Sequence, residues 1–331
     1  MLVLSRTQVE SLLDLDALID ALADTLVDLS AGRTSVPPRT AAEVEGRDGL
    51  LLAMPGYVPS AGVLAAKLVS LFPRNAGGVL PTHQAVIVAF DPDNGAPIAF
   101  LDGTAITAAR TGACSALSAR LLARPDAGVL AVVGTGVQAR SHARAMCRVR
   151  PIRQIRVAGR DPAKVRALAE ELATELDDER EIAVHAMPSY RDALRDADIV
   201  AATTHTADPV VRREWLTPGA HVTSVGYNPA GRELDDATVA DALVCVDSRR
   251  ATLAPFPSGS NDLLAPISTG ILSADRVSEL GEIIGGSRPG RDRDDQITLY
   301  KSVGVAEEDA TATALVLAAA REHGVGSRIT L

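Results

Sequence analysis

The sequence has few of the features that mark secreted, membrane-embedded or metal-binding proteins. It contains three cysteines, an odd number without a Cys-x-x-Cys pair, which is typical of reduced core thiols in a cytoplasmic protein. The first residues lack a basic segment followed by a long apolar core, so we expect no signal peptide. No apolar run approaches membrane-spanning length, and no histidines stand at metal-ligand spacing. We therefore expect a cytoplasmic protein without a metal site.

Several catalytic and binding motifs are also missing. The sequence has no G-x-S-x-G nucleophile elbow, no P-loop and no catalytic-cysteine signature. Its formal net charge is −9 and no block of like charge stands out, so nucleic acid is not an expected partner. The length of 331 residues predicts two domains with an ample core.

Lysine is rare, and its three positions are informative. Only Lys67, Lys164 and Lys301 occur among 33 basic residues. Lys164 falls on a polar helix face, where solvent explains it. Lys67 lies within the apolar, strand-like run Val63–Leu71, where an ammonium group is costly unless it is paired or functional. The alternative is an edge-strand lysine that extends to solvent.

Residues 129–146 have the pattern of a strand, a glycine turn and a helix. Apolar residues from Val129 to Val133 predict a buried parallel strand, and Gly134 and Gly136 follow at once. Such a turn lets the backbone approach a pyrophosphate at the N-terminus of the following helix. Ala139 replaces the third glycine of the dinucleotide-binding fingerprint, which its looser form allows. A turn that uses glycine for geometry alone is the alternative.

The next strand and helix bear on which dinucleotide is bound. After the strand Gln154–Ala158, an acidic residue favours NAD, whereas an arginine accommodates the 2′-phosphate of NADP. Both types occur, as Arg160 and Asp161. Because Asp161 stands before Pro162, it suits the N-cap of the next helix, which leaves Arg160 for the phosphate. The sequence therefore favours NADP over NAD.

Two kinds of secondary-structure pattern follow one another. An amphipathic helix from Leu15 to about Leu29 precedes several strand-like runs, a hairpin turn at Asp91–Gly95 and an Ala-rich helix from Thr104 to Ala123. From residue 128 strands alternate with helices, and a last helix from about Glu307 to Glu322 is expected to return to the first domain. We predict an α/β protein in which a Rossmann-type, doubly wound parallel sheet domain accompanies a smaller α+β domain.

Candidate site residues lie in both parts. Arg39, Lys67 and Arg110 together suit a substrate carboxylate and cofactor phosphates, although each alone is more often a surface cation. His83 suits proton relay or substrate binding, and a lone histidine is more often structural. The polar segments after two later strands, at 203–205 and 225–229, fall where open α/β sheets bind ligands, although loop polarity alone also explains them.

Seven motifs occur in an order that resembles the ornithine cyclodeaminase/mu-crystallin family across almost the whole chain. They are LAAKLV (64–69), PTHQA (81–85), DG with TAART (102–103 and 107–111), GTGVQA (134–139), PGAH with VG (218–221 and 225–226), RELD (232–235) and KSVG with ED (301–304 and 308–309).

The resemblance implies a homodimer and a two-domain subunit. Residues 1–122 and 303–331 would form the substrate-binding and dimerisation domain, and 123–302 the dinucleotide-binding Rossmann domain. Family members move hydride between a nicotinamide cofactor and the α-carbon of an amino or imino acid, so the expected partner is a small amino or imino acid.

The resemblance also assigns roles to single residues. The substrate would be bound by Arg39, Lys67, Arg110 and Val303. The cofactor would be bound by Thr82, Arg110, Thr111, Gly134, Gly136, Val137, Gln138, Arg160, Thr204, Val222, Thr223, Ser224, Val225, Arg232 and Ser302. We predict catalytic positions at Lys67 and Asn228 from the resemblance, and at His83 from the proton-relay chemistry of histidine.

One departure from the family pattern bears on the reaction. Cyclodeaminases and alanine dehydrogenase carry an acid/base aspartate at the position of Asn228, and an amide cannot replace it in proton transfer. Mu-crystallin-type ketimine reductases also lack this aspartate. The sequence therefore favours reduction of a preformed α-imino acid, with Lys67, or His83 through a water, as the proton donor. Ornithine cyclodeamination with a substitute base, and small-ligand binding without catalysis, are the alternatives.

Overall fold

The computed structural model describes residues 1–176, 181–228, 230–255 and 258–330. Contacts within the chain divide it into two compact units. The first unit consists of Met1–Arg110 and Gly304–Leu331, and the second of Thr111–Val303.

The described segments contain strands and helices in the following order. The first are β1 (Leu2–Leu4), α1 (Arg6–Leu12), α2 (Leu15–Ser30), β2 (Thr40–Val44), β3 (Gly49–Val58), β4 (Val63–Leu71), β5 (His83–Phe90), β6 (Pro97–Asp102) and α3 (Gly103–Leu122). They are followed by β7 (Val129–Val133), α4 (Val137–Val149), β8 (Gln154–Ala158), α5 (Pro162–Glu175), β9 (Ala183–Ala186), α6 (Tyr190–Leu194), β10 (Ile199–Ala202), β11 (His221–Ser224), α7 (Asp236–Asp241), β12 (Leu243–Val246), α8 (Arg249–Thr252), α9 (Asn261–Ser268), β13 (Ser278–Glu279), α10 (Leu280–Ile284) and β14 (Thr298–Lys301). The last are α11 (Ala306–His323) and β15 (Ser327–Arg328). The predicted domain limit at 122 is the end of α3, whereas the contact-based boundary falls inside this helix.

The first unit contains a mixed sheet with the strand order β15-β1-β6-β5-β4-β3-β2. Strands β2 to β6 are antiparallel neighbours, and the predicted hairpin turn between β5 and β6 is confirmed by the hydrogen bond from Asp91 N–H to the carbonyl of Ala96, 2.9 Å long. Lys67 lies on β4, paired with Met54 of β3 and Ile87 of β5. The edge-strand alternative for Lys67 is therefore wrong.

The C-terminal helix α11 packs on β3 and β4, and α2 packs on α11. Helix α2 buries Leu18, Leu22 and Leu26, the four-residue spacing that predicts an amphipathic helix. The hydroxyl groups of Thr25 and Thr311 are 2.7 Å apart where the two helices meet. The expected return of the last helix to the N-terminal part is confirmed, and it brings the first turn of α11 over β4.

The opposite face of this sheet is also apolar. Because side chains alternate between the faces of a strand, residues paired across neighbouring strands share a face. Leu68 is paired with Ala53 and Val86, and Val88 is paired with Phe100. Leu68 and Phe100 are exposed in the single chain.

The second unit contains a parallel sheet with the order β13-β12-β14-β11-β10-β7-β8-β9. The chain runs from β7 outward through β8 to β9 and then returns to the other side of β7 with β10 and β11. The predicted doubly wound α/β fold is confirmed. The strand order reverses between β7 and β10. Open α/β sheets bind ligands at the carboxyl ends of the strands at such a reversal. Within the described ranges, no helix has the length and apolar character needed to cross a membrane.

Candidate active site

The Gly-x-Gly turn follows β7 at the reversal of strand order. Gly134 has a φ of +122°, and a Cβ atom there would lie 2.5 Å from Thr203 Oγ1, so the turn requires glycine. Gly136 is the N-cap of α4, and a Cβ atom there would meet nothing within 4 Å. The fold itself therefore does not demand glycine at 136. Open space before a helix N-terminus is what a bound phosphate group requires, so this turn fits a dinucleotide.

The residues around this turn occupy both buried and exposed positions. Ala139, in the first turn of α4, is fully buried, as its place in the fingerprint predicts. Val137 is exposed in the first turn of the helix, and the carbonyl of Gln138 accepts a hydrogen bond from His142 Nδ1 at 2.7 Å. Thr111, on α3, is buried.

Asp161 and Arg160 have different environments. The Asp161 carboxylate caps α5, because it accepts hydrogen bonds from the backbone N–H groups of Ala163, at 2.9 Å, and Lys164, at 3.3 Å. The predicted N-cap is confirmed. Arg160 is exposed just beyond β8, and in the described part of the chain no carboxylate forms an ion pair with it. The guanidinium group is thus placed to meet an anion.

Glu233 connects the segments that follow β10 and β11. Its Oε1 accepts hydrogen bonds from the backbone N–H and the hydroxyl group of Thr204, at 2.5 and 2.7 Å, and its Oε2 accepts one from Ser224 Oγ, at 2.7 Å. The side chains of Val222 and Thr223 are buried within β11, whereas Val225 lies just beyond the strand. Of the predicted segment 222–225, only the end reaches the edge of the sheet.

Asn228 is held by two backbone groups. Its Nδ2 donates to the carbonyl of Thr206 at 2.8 Å, and its Oδ1 accepts from the backbone N–H of Ala230 at 2.9 Å. A donor and an acceptor on one side chain fit an amide but not an ionised carboxylate, which accepts only.

Two further predicted residues lie near this edge of the sheet. Ser302 Oγ and the backbone N–H of Val303 both donate to the buried carboxylate of Asp247, each at 2.9 Å. Arg232 forms an ion pair with Asp236, at the start of α7. Val303 thus has its backbone fixed, and the Arg232 guanidinium is partly neutralised.

A second polar cluster lies in the first unit, between β4, α3 and the start of α11. Lys67 Nζ forms an ion pair with Asp309 Oδ2 at 2.6 Å, although both side chains are only 3% exposed. Arg110 Nε is 3.1 Å from Asp309 Oδ1, and its Nη1 is 2.6 Å from Glu308 Oε2. Arg39 Nη2 donates to the carbonyl of Gly304 at 2.6 Å. The fold thus gathers the predicted cations beside two buried carboxylates.

The electrostatics of this cluster favour proton exchange at Lys67. Burial lowers the pKa of Lys67 to about 8; Asp309 opposes this shift, while Arg110 and Arg39 add to it. Burial by itself would raise the pKa of Asp309, but the positive charges of Arg110 and Lys67 lower it overall. A lysine with a pKa close to neutral exchanges a proton more readily than an exposed one.

His83 and Thr82 lie apart from this cluster. His83 is the exposed first residue of β5, and the half-buried Thr82 precedes it, with Thr82 Oγ1 3.0 Å from His83 Nδ1. His83 is paired with Leu71, four residues from Lys67 along β4, a separation of about 13 Å along the strand.

Sequence reasoning missed the acidic partners. Asp309 and Glu308 form the ED part of the last family motif, but the helix dipole alone explains acidic residues at the start of a helix. The signal that could have predicted an acidic partner was Lys67 itself, because a buried ammonium group needs a counter-ion. Glu233 belongs to the RELD motif, but no local pattern indicated that its side chain joins the segments after β10 and β11. In the described part of the chain, no group of three or more His, Cys, Asp or Glu side chains is arranged to hold a metal ion.

Comparison with known proteins agrees with this architecture. A sequence model of the ornithine cyclodeaminase/mu-crystallin family matches residues 1–324. The chain is 35% identical over 303 residues to ketimine reductase mu-crystallin of Mus musculus, which covers 90% of each chain. It is 33% identical over 332 residues to Δ1-pyrroline-2-carboxylate reductase of Bacillus cereus, which covers 99% of each.

A solved structure extends the likeness to three dimensions. Δ1-pyrroline-2-carboxylate reductase of Thermococcus litoralis, in complex with NADH and L-proline, superposes with a TM-score of 0.93 and 38% identity, covering 99% of this chain and 100% of that one. At 99% coverage of this chain, the match includes both units. The chain belongs to the ornithine cyclodeaminase/mu-crystallin family.

Proposed function

We propose that this chain reduces the C=N bond of an α-imino acid, a cyclic ketimine or a small imino acid, with a reduced nicotinamide cofactor, and catalyses the reverse dehydrogenation of the amino acid. It is an oxidoreductase, like its reductase relatives. The observation that carries the proposal is the buried Lys67, whose pKa is lowered to about 8 beside Asp309 and Arg110.

The chain's own residues supply binding and a proton. The positive charges of Arg39, Lys67 and Arg110 suit the substrate carboxylate. A reduced nicotinamide, when bound, supplies the hydride for the C=N carbon. The nitrogen then needs one proton, and Lys67 Nζ donates it and becomes a neutral amine until solvent restores the ammonium. His83 is the weaker candidate for the proton donor because it lies about 13 Å from Lys67 along the strand direction.

Asn228 supports imine reduction over ornithine cyclodeamination. Its amide donates to Thr206 O and accepts from Ala230 N–H, so it is engaged in holding the loop. It has no proton to exchange at neutral pH. At the position where cyclodeaminases carry the acid/base aspartate, this chain therefore has a side chain that binds backbone groups of its loop.

We also propose that NADP(H) is preferred and NAD(H) is accepted. Asp161 is engaged as the cap of α5, whereas Arg160 is exposed beside the end of β8. An arginine at this place accommodates a 2′-phosphate.

We further propose that the chain forms a homodimer through the apolar outer face of the first unit's sheet. Leu51, Leu68 and Phe100 are exposed on this face. A broad apolar face of this kind marks a protein interface. A second copy presents the same face, which allows a two-fold symmetric contact.

The test is a reduced-nicotinamide absorbance assay with pyrroline-2-carboxylate and piperideine-2-carboxylate, using NADPH and NADH in turn. L-Ornithine with NAD runs in parallel, and ammonia is measured. We expect imine-dependent oxidation of NADPH, faster than that of NADH, and a loss of about 100-fold or more in Lys67→Ala. Lys164→Ala, a change at an exposed lysine, is the matched control.

Each other outcome is decisive. Ammonia release from ornithine without net change of the cofactor would replace the proposal with cyclodeamination. Cofactor binding without turnover of any imino acid would indicate a binding protein. Full activity of Lys67→Ala would remove Lys67 as the proton donor.

A further inference from the structure

A buried polar network joins the carboxyl ends of three adjacent parallel strands in the second unit. The register places Ala202 of β10 beside Ser224 of β11, and Ser224 beside Lys301 of β14. Ser224 and Lys301 are fully buried, and Glu233 is 2% exposed. A charged cluster this deep is costly unless its members are fully paired.

Glu233 occupies the centre of the network. Besides Thr204 and Ser224, its carboxylate accepts a hydrogen bond from the backbone N–H of Gly226 at 2.8 Å. Four donors thus meet two oxygens, the pattern that an ionised carboxylate can accept and an amide cannot. The donors come from the segment after β10 and from the segment after β11, so one side chain fixes two loops.

Lys301 and Asp262 hold Glu233 in its place. Lys301 Nζ donates to Ser224 Oγ at 3.0 Å and to the carbonyl of Gly226 at 2.7 Å, and it is 2.8 Å from Asp262 Oδ2. The other oxygen of Asp262 accepts from the backbone N–H of Glu233 at 2.7 Å. The backbone and the carboxylate of Glu233 are therefore fixed independently.

The close approach of the two loops depends on this arrangement. A Cβ atom at Gly226 would collide with the carbonyl of Thr204 and with the Glu233 carboxyl group. The Thr204 hydroxyl group donates its hydrogen bond to Glu233, so toward a ligand its oxygen can act only as an acceptor. The network thus decides both the position of Thr204 and the polarity that it presents.

We propose that Glu233 is the positioning residue for the nicotinamide side of the cofactor site, where it fixes the Thr204 and Gly226 segments. This inference rests on the proposed function, because it is the family resemblance that places Thr204 and the end of β11 at the nicotinamide side of the cofactor site. The network holds two carboxylates and one ammonium, so it is formally anionic. An anionic cluster favours the oxidised nicotinamide ring, which is cationic, over the neutral reduced ring.

The test compares Glu233→Gln with Asp198→Asn. Asp198 is a matched control because its Oδ2 accepts the backbone N–H groups of Gly128 and Val129, each at 2.9 Å, at the opposite end of the same sheet. Dissociation constants for oxidised and reduced cofactor are measured by titration calorimetry, together with Tm, KM and kcat. In Glu233→Gln we expect both dissociation constants to rise about tenfold or more, with the larger rise for the oxidised form.

Asp198→Asn should lower Tm and leave both dissociation constants unchanged. If Glu233→Gln lowers only Tm, as the control does, the positioning role is overturned while the proposed function stands. If the wild-type protein binds neither cofactor form, the proposed function fails, and this inference fails with it. Should Glu233→Gln not fold, Ser224→Ala takes its place, because it removes the hydroxyl that joins Glu233 to Lys301 and keeps β11 intact; unchanged dissociation constants there would also overturn the proposal.

Discussion

Two of the three lysines are buried, and each is paired with an aspartate. Lys67 is 2.6 Å from Asp309, and Lys301 is 2.8 Å from Asp262. Such pairs are poor sources of stability, because the cost of removing both charges from water offsets their attraction. Breaking one by removing a partner is harmful, since it leaves an uncompensated charge. The proton transfer that we propose for Lys67 and the loop positioning that we propose for the network of Lys301 would explain why both pairs are present.

Asp309→Asn should change the pH dependence of the reaction. Asp309 opposes the lowering of the Lys67 pKa, so its neutralisation should move that pKa further below about 8. With Lys67 as proton donor, activity is lost as pH rises through its pKa. The alkaline limb of kcat/KM should therefore move to lower pH by about one pH unit or more.

Thr107→Val is the control for this variant, because Thr107 Oγ1 is a neutral contact 3.4 Å from Lys67 Nζ. It should leave the alkaline limb in place. An unchanged limb in Asp309→Asn would show that Lys67 is not the titrating donor.

Buried histidines join α3 to its neighbours in the second unit. His142 on α4 has its Nε2 2.8 Å from Ser115 Oγ of α3. His221 on β11 lies 3.0 Å from Ser118 Oγ of α3 and 2.9 Å from Thr298 Oγ1 of β14. Both histidines are fully buried. His142 lies between the carbonyl of Gln138 and Ser115 Oγ, and His221 lies between two hydroxyl groups, so both buried rings suit the neutral form.

The unit should therefore lose stability in mild acid. Burial lowers the pKa of His142 to about 4 and, together with Arg291 and Arg150, that of His221 to about 3. Since the unfolded chain takes up these protons near pH 6.5, their contribution is complete above that pH and is lost as pH falls toward the folded values. Each histidine should remove about 1.4 kcal/mol of unfolding free energy per pH unit in this window.

Urea unfolding at a series of pH values measures this dependence. His142→Gln should reduce the slope of unfolding free energy against pH by about 1.4 kcal/mol per pH unit. His185→Gln, a change at an exposed position, is the control and should not reduce it. Equal slopes in the wild type and His142→Gln would contradict the assignment.

One face of the first unit's sheet is apolar, and Leu51, Leu68 and Phe100 are exposed on it in the described part of the chain. This is the face through which we propose that the homodimer forms. The other face of the same sheet carries Lys67, paired with Met54 and Ile87. By our two proposals, alternate residues of β4 thus serve catalysis on one face of the sheet and assembly on the other.

Leu68→Arg should convert a dimer into a monomer. Leu68 is 37% exposed in the single chain, and a charge there would be desolvated in the interface. Light scattering coupled to size exclusion measures the mass. Leu121→Arg is the control, because Leu121 is equally exposed, at 37%, on α3. A monomeric wild type, or a dimeric Leu68→Arg, would contradict the interface.

Local signals in the sequence identified much of the fold. Four-residue apolar spacing located α2, and the turn residues Asp91–Gly95 located the β5–β6 hairpin. The short strands β2 and β14 were not predicted, since β2 is exposed throughout and β14 has four residues ending in Lys301. Such segments become strands through pairing with neighbours, which no local pattern encodes.

The sequence by itself determined the family, the glycine turn, the cap at Asp161 and the choice of Lys67 as an unusual lysine, because each depends on residue type and short spacing. Only the tertiary structure decided which acids surround Lys67 and which loops Glu233 joins. Asp309 is 242 positions from Lys67 in the chain and yet 2.6 Å away in space. Charge pairing of this kind is set by how helices and strands pack, and burial then fixes its strength because it excludes the water that would screen it.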